Sequence, residues 1–135
     1  MNRIETIVSL ITSNDKVADI GCDQVEVGIM LAKKGIKSIA SDISIKVIEK
    51  AKEKIDALEL NNFIDLRVSD GLKNIKEDEA NTLVIAGMGT YTILNILDTN
   101  KRFNKIITIS NNKHDVLRYK MNELNYKVDY EIIIK

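Results

Sequence analysis

The fold turns on one stretch, Val17-Ala18-Asp19-Ile20-Gly21-Cys22-Asp23. Residues 16–20 form a short apolar run that reads as a buried strand, and Gly21 breaks it. Beyond the break, Val25, Ile29 and Ala32 recur at helical spacing until Gly35 ends the helix. A strand, a glycine-bearing turn and a helix, in that order, open a parallel α/β unit.

The same rhythm runs outward in both directions. Residues 2–12 carry Ile4, Ile7, Val8 and Ile11 at helical spacing, with Asn2 as cap and Glu5 as its reciprocal partner. Further strands are predicted over 38–41, 63–68, 83–86, 105–109 and 126–134. Ser44 is placed to cap a long helix whose Val47, Ala51, Ile55 and Leu58 form one stripe. Residues 72–75 read as a single helical turn, and 92–97 as a helix. Residues 115–125 read as a helix with Leu117, Met121 and Leu124 inward. This alternation predicts a Rossmann-like α/β fold, a mostly parallel sheet with helices on both faces. No repeat or second unit interrupts it, so residues 1–135 are expected to form a single domain.

Composition narrows the function. The 135 residues are 44% hydrophobic and 30% charged, which suits a globular chain with its own core. The formal net charge is zero, which argues against tight non-specific binding to nucleic acid and leaves room for a local basic patch. Cys22 is the single cysteine, so no internal disulfide forms, and a reducing, cytoplasmic location is expected. No apolar run reaches the roughly 20 residues of a membrane span, and Glu5 interrupts the only short apolar stretch at the N-terminus. One Cys and one His, His114, give no metal-ligand spacing.

In an open parallel sheet, ligands lie beyond the carboxyl ends of the strands. The segments there are residues 19–24, Asp42, Asp70-Gly71, Gly87-Met88-Gly89 and residues 110–112. Gly21 lets a backbone pass close beneath a ligand. The phosphate-binding pattern G-x-G-x-x-G is absent: Asp23 follows Gly21, and the next glycine is Gly28. A pyrophosphate would meet the Asp23 carboxylate, whereas an amino acid bearing a sulfonium tolerates acids. The loop therefore favours S-adenosylmethionine over NAD. Asp42 lies about 20 residues after the loop, where an acid accepts ribose hydroxyls. Asp70 is placed to accept from an adenine amino group, and Met88 to pack on a base or on the adenosine.

Each residue also has a plainer reading. Asp19, Asp42 and Asp70 suit helix caps or turns, and Met88 suits core packing. Cys22 suits a small buried residue whose thiol a helix N-terminus would acidify. His114 suits the surface, and the lysines of residues 46–54 a solvated helix face.

Together the motifs resemble the bacterial tRNA (adenine(22)-N(1))-methyltransferase family. Residues 17–23 resemble its "ADIGSD", Ile39-Ala40-Ser41-Asp42 its "IAGE", and residues 66–72 its "VRxGDGL". Residues 84–89 match "IAGMG", and Leu117-Arg118 resembles its "LR". The resemblance implies a class I methyltransferase with S-adenosylmethionine as donor and tRNA as partner. It places Asp19, Gly21, Cys22 and Asp23 at the donor's methionine end. It puts Asp42 at the ribose, Asp70 at the adenine, and Gly87, Met88 and Gly89 beneath the transferred methyl, with Ile43 and Gly71 also among the donor-binding residues. Asp23, Gly87 and Met88 are then the residues nearest the chemistry.

The chain departs from the family in places. The family's His-Ala-Tyr-Leu-Pro stands here as Gln24-Val25-Glu26-Val27-Gly28, without an aromatic. Its glycine after "GMG" is Thr90, and its "QPN" appears as Ser110-Asn111-Asn112 or one residue shifted. The family also continues with a further strand and a helical extension, so the chain reads as C-terminally truncated. Three readings stay open beside tRNA methylation: another acceptor, a non-catalytic donor-binding module, and a dinucleotide oxidoreductase.

Overall fold

The computed structural model describes residues 2–110 and 112–127. Helix α1 (Arg3–Ser9) leads into β1 (Val17–Ile20), α2 (Glu26–Lys33), β2 (Ser38–Asp42), α3 (Ile45–Ala57) and β3 (Ile64–Val68). A 3-10 turn (Glu77–Glu79) precedes β4 (Thr82–Met88), α4 (Thr90–Leu97), β5 (Lys105–Ser110) and α5 (His114–Glu123). The strands lie in the order β3-β2-β1-β4-β5, and every described pair is parallel. The order reverses between β1 and β4, which puts the crevice of a doubly wound sheet above those two strands.

Local chemistry fixes the element ends. Asn2 Oδ1 accepts from the Glu5 amide at 2.8 Å, and Ser44 Oγ from the Val47 amide at 3.3 Å, so both capping residues act as expected. Gly35, at φ +77°, closes α2 while the Ile36 amide donates back to the Leu31 carbonyl at 2.9 Å.

Alternation along β1 divides the core. Ala18 and Ile20 face a cluster with Leu83, Ile85, Ile93, Leu117 and Met121, under α4 and α5. Val17 faces the opposite cluster, with Ile7, Val8, Leu31 and Val84, under α1 and α2. Burying each large aliphatic side chain stabilises the fold by about 1.5–3 kcal/mol.

Some expectations need correction. Gly87 and Met88 are not loop: β4 runs through them, because a register shift lets Met88 pair with Ser110. Leu58 does not join the buried stripe; it is the C-cap of α3 and is exposed. Residues 72–75 form a single hydrogen-bonded turn as expected, with the Ile75 amide donating to the Leu72 carbonyl at 3.1 Å. The 3-10 turn was not anticipated; Glu79 there grips Arg67 of β3 through both carboxylate oxygens, at 2.8 and 2.5 Å. Of the sixth predicted strand, Tyr126 and Lys127 carry no regular structure, and 128–134 lie outside the described residues.

Candidate functional site

The loop after β1 folds back over β2. The Gly21 and Cys22 amides both donate to the Ser41 carbonyl, at 2.9 and 2.8 Å. Gly21, Asp23 and Val25 take positive φ of 77°, 46° and 56°. Val25 is fully buried and β-branched, so its left-handed backbone is strained and held by its surroundings.

Asp42, the last residue of β2, ties the loop down. Its Oδ2 accepts from the Asp23 amide at 3.3 Å and its Oδ1 from the Ser44 amide at 3.0 Å. The turn reading and the ligand reading coexist here, because each oxygen keeps acceptor capacity beyond its single backbone bond.

Asp19 lies under this loop and is 4% exposed. Among the described residues its carboxylate has no hydrogen-bond or ionic partner. Burial, and then the Asp42 charge, push it up to about 7. A buried carboxylate without a donor is better suited to meeting a cation than to capping a turn. Cys22 is buried beside it. Burial, followed by the Asp19 and Asp42 charges, pushes its thiol up to about 12, the reverse of the acidified thiol a helix N-terminus would give.

Met88 of β4 closes the crevice from the other side. A Cβ at Gly21 would collide with the Met88 terminal methyl, so the glycine leaves room for that side chain over the end of β1. We predict that Gly21→Ala loses about 1–2 kcal/mol of stability from the left-handed backbone alone. Urea denaturation checks this, and adding Met88→Ala should not restore the loss, since a flexible methyl moves aside cheaply while the backbone strain stays.

The remaining candidate residues take different positions. Ile43 is 67% exposed directly after Asp42, and Ile45 and Val68 are exposed beside it. This gives the β2–β3 end an exposed apolar patch. Asp70 is exposed and pairs with Lys73 at 2.9 Å, a surface ion pair worth little. Asp70 and Gly71 border a cavity of about 320 Å³ against Asn95, Ile96 and Thr99 of the α4 side. Asp19, Gly21 and Asp42 do not line that cavity, but the Ser69 amide just before Asp70 donates to the Asp42 carbonyl at 3.0 Å, which ties the β2 and β3 ends together.

The ends of β4 and β5 are cross-braced. The buried Thr90 hydroxyl meets Ser110 Oγ at 2.6 Å and the Asn112 carbonyl at 2.5 Å, and the Thr90 amide donates to Asn112 Oδ1 at 3.2 Å. Thr90, a departure from the family glycine, thus has a structural task. Ser110 and Asn112 are bracing residues, while Asn111 lies outside the described residues. His114 is exposed, with Nε2 2.7 Å from the Ser110 carbonyl.

The sequence reading missed Arg3. Its guanidinium reaches over the end of β4, with Nη2 3.6 Å from where a Cβ at Gly87 would stand. No local pattern tells that a residue of α1 reaches the distant end of β4. Among the described residues, no group of three or more His, Cys, Asp or Glu could hold a metal, and no helix is long and apolar enough to cross a membrane.

With this geometry in hand, similarity to known proteins is informative. The chain is 35% identical over 101 residues to the tRNA (adenine(22)-N(1))-methyltransferase of Bacillus subtilis strain 168, covering 73% of this chain and 42% of that protein. It matches M. capricolum TrmK, solved with the cofactor product S-adenosyl-homocysteine, at TM-score 0.88 and 29% identity, over 98% of this chain and 62% of that one. It matches the crystal structure of B. subtilis TrmK at TM-score 0.91 and 28% identity, over 98% and 59%. The chain thus spans less than half the length of the curated relative. The profile of the family described as "Methyltransferase domain" covers residues 1–135 in full, and the chain belongs to that family.

Proposed function

We propose that residues 1–135 form one donor-binding domain that holds S-adenosylmethionine across the ends of β1, β2 and β4 and methylates N1 of an adenine in tRNA. The observation that carries the donor reading is the pair of acids at the crevice: Asp19, buried without a partner, and Asp42, already fixed by two backbone amides. The absence of a phosphate-binding glycine pattern supports a cationic ligand over a dinucleotide. In this reading Asp42 accepts the ribose hydroxyls, and Ile43 lies against the adenine. Asp70 and Gly71 flank the adenine edge. Asp19, Gly21, Cys22 and Asp23 surround the methionyl end.

When bound, the donor supplies a methyl group on a sulfonium. The protein's part is alignment and exclusion of water. Adenine N1 carries an in-plane lone pair, so no strong base is required, and catalysis rests on holding N1, methyl and sulfur in line. Gly87 and Met88 form the floor at that point, and Asp23 offsets the positive charge that develops on the methylated ring. The target base must leave its stack to arrive there. A tRNA substrate places the activity in the cytoplasm.

A different acceptor is the second reading. It is favoured by the loop after β1, where Gln24 and Glu26 stand in place of an aromatic that would stack on a base. Calorimetry with S-adenosylmethionine and with NAD, followed by labelled donor with unmodified tRNA, tests both. Donor binding with label recovered as 1-methyladenine is expected. Donor binding without transfer to tRNA would favour the second reading, and binding of NAD alone would overturn both.

A further inference from the structure

We propose that Arg3 is the carboxylate anchor of the site, gripping the carboxylate at the methionyl end of the donor. The inference rests on the donor reading above and adds a residue from outside the sheet-end loops. Helix α1 packs Ile7 and Val8 against the cluster containing Val84 of β4, which brings its first residue to the carboxyl end of that strand. There Arg3 Nη2 stands 3.6 Å from the space a side chain at position 87 would occupy, and Gly87, at φ +78°, leaves that space open.

Charge explains why a cation belongs at this place. The neighbouring strand ends carry Asp19, Asp23 and Asp42, all acids. They suit the sulfonium and ammonium of a methionyl group and repel its carboxylate. A guanidinium supplies the missing complement, with paired N–H donors that match a carboxylate's two oxygens. Arg3 has no ion pair or hydrogen bond among the described residues, whereas Arg67 holds Glu79 and Asp65, and Arg102 holds the Leu124 carbonyl. Arg3 is exposed, so its head is free to turn onto a ligand.

The chemistry recognised is an oxyanion, which a tRNA phosphate also offers, and the test separates the two. The affinities of S-adenosylmethionine and of decarboxylated S-adenosylmethionine are measured by calorimetry for the wild type and for Arg3→Ala and Arg3→Lys. The second nucleoside keeps the adenosine, the sulfonium and the ammonium and lacks only the carboxylate. Arg3→Ala should weaken S-adenosylmethionine about 10- to 100-fold. It should leave the decarboxylated compound unchanged, which also verifies that the variant is folded, and Arg3→Lys should recover part of the loss. Equal weakening of both compounds, or none, overturns the anchor. Unchanged donor affinity with weakened tRNA binding overturns it in favour of a phosphate contact. If the wild type binds neither nucleoside, the donor reading itself fails, whatever the variants do.

Discussion

Asp42→Ala is expected to lower affinity for S-adenosylmethionine about 100-fold while the protein stays folded. Two ribose hydroxyls donating to one carboxylate each contribute about 1.5–3 kcal/mol as charge-assisted bonds, and about 3 kcal/mol in total corresponds to that factor. The structural cost is small by comparison. The Asp23 amide that loses its acceptor is exposed and the Ser44 amide half-buried at a helix cap, so water can replace much of what is lost. Calorimetry gives the affinity and circular dichroism the fold. An unchanged affinity would reject the ribose assignment and leave Asp42 as a turn residue. The same substitution removes the negative charge beside Asp19, so that carboxyl should ionise at lower pH in the variant.

The second large effect is on pH dependence. Asp19 titrates near 3.9 in an unfolded chain, and burial, with Asp42 next, raises it to about 7 in the folded protein. The folded state therefore holds this proton more tightly than the unfolded state does. Its contribution is fully present below about pH 4 and is lost as pH rises through about 7. Asp19→Asn has no such proton to lose, so above pH 7 it should be more stable than the wild type, by up to about 4 kcal/mol. Below pH 4 the difference should vanish. Urea denaturation at pH 5 and pH 8 reads the slope, and a wild type no less stable at pH 8 would contradict the burial of a lone carboxyl.

Donor binding should show the converse. A sulfonium beside Asp19 favours the ionised form, so binding near pH 6.5 should release a proton, and affinity should rise through about pH 7. Calorimetry in two buffers of different ionisation enthalpy detects that release.

Much of the fold was legible because its signals are local. Asn2 and Ser44 precede their helices with oxygen acceptors, Gly35 ends one, and the apolar run at 17–20 is too short to be a helix. Asp19 and Asp42 were legible as candidates because parallel sheets receive ligands near the carboxyl ends of their strands, although Asp19 proves to lie within β1 rather than after it. What stayed hidden depends on distant partners. Gly87 and Met88 belong to β4 only because β5 pairs alongside them with a shift of register. Leu58 has the spacing of a buried residue, but α3 ends before it reaches the sheet, and the C-cap is left in solvent. Val25 adopts a backbone that its β-branched side chain disfavours, which no propensity anticipates. Asp70 also pairs with Lys73, three positions on, an exposed contact that strand-end position alone does not announce.

The strand order has one more consequence, for how the molecule assembles. Strands β1, β2 and β3 pair with close neighbours in sequence, whereas Val17 must find Thr82 to join β1 to β4. That junction is the costly loop closure of the fold, and it runs directly beneath the crevice. A molecule lodged there spans both halves of the sheet, acts as a clasp across the junction of longest sequence separation, and should slow the parting of the halves during unfolding.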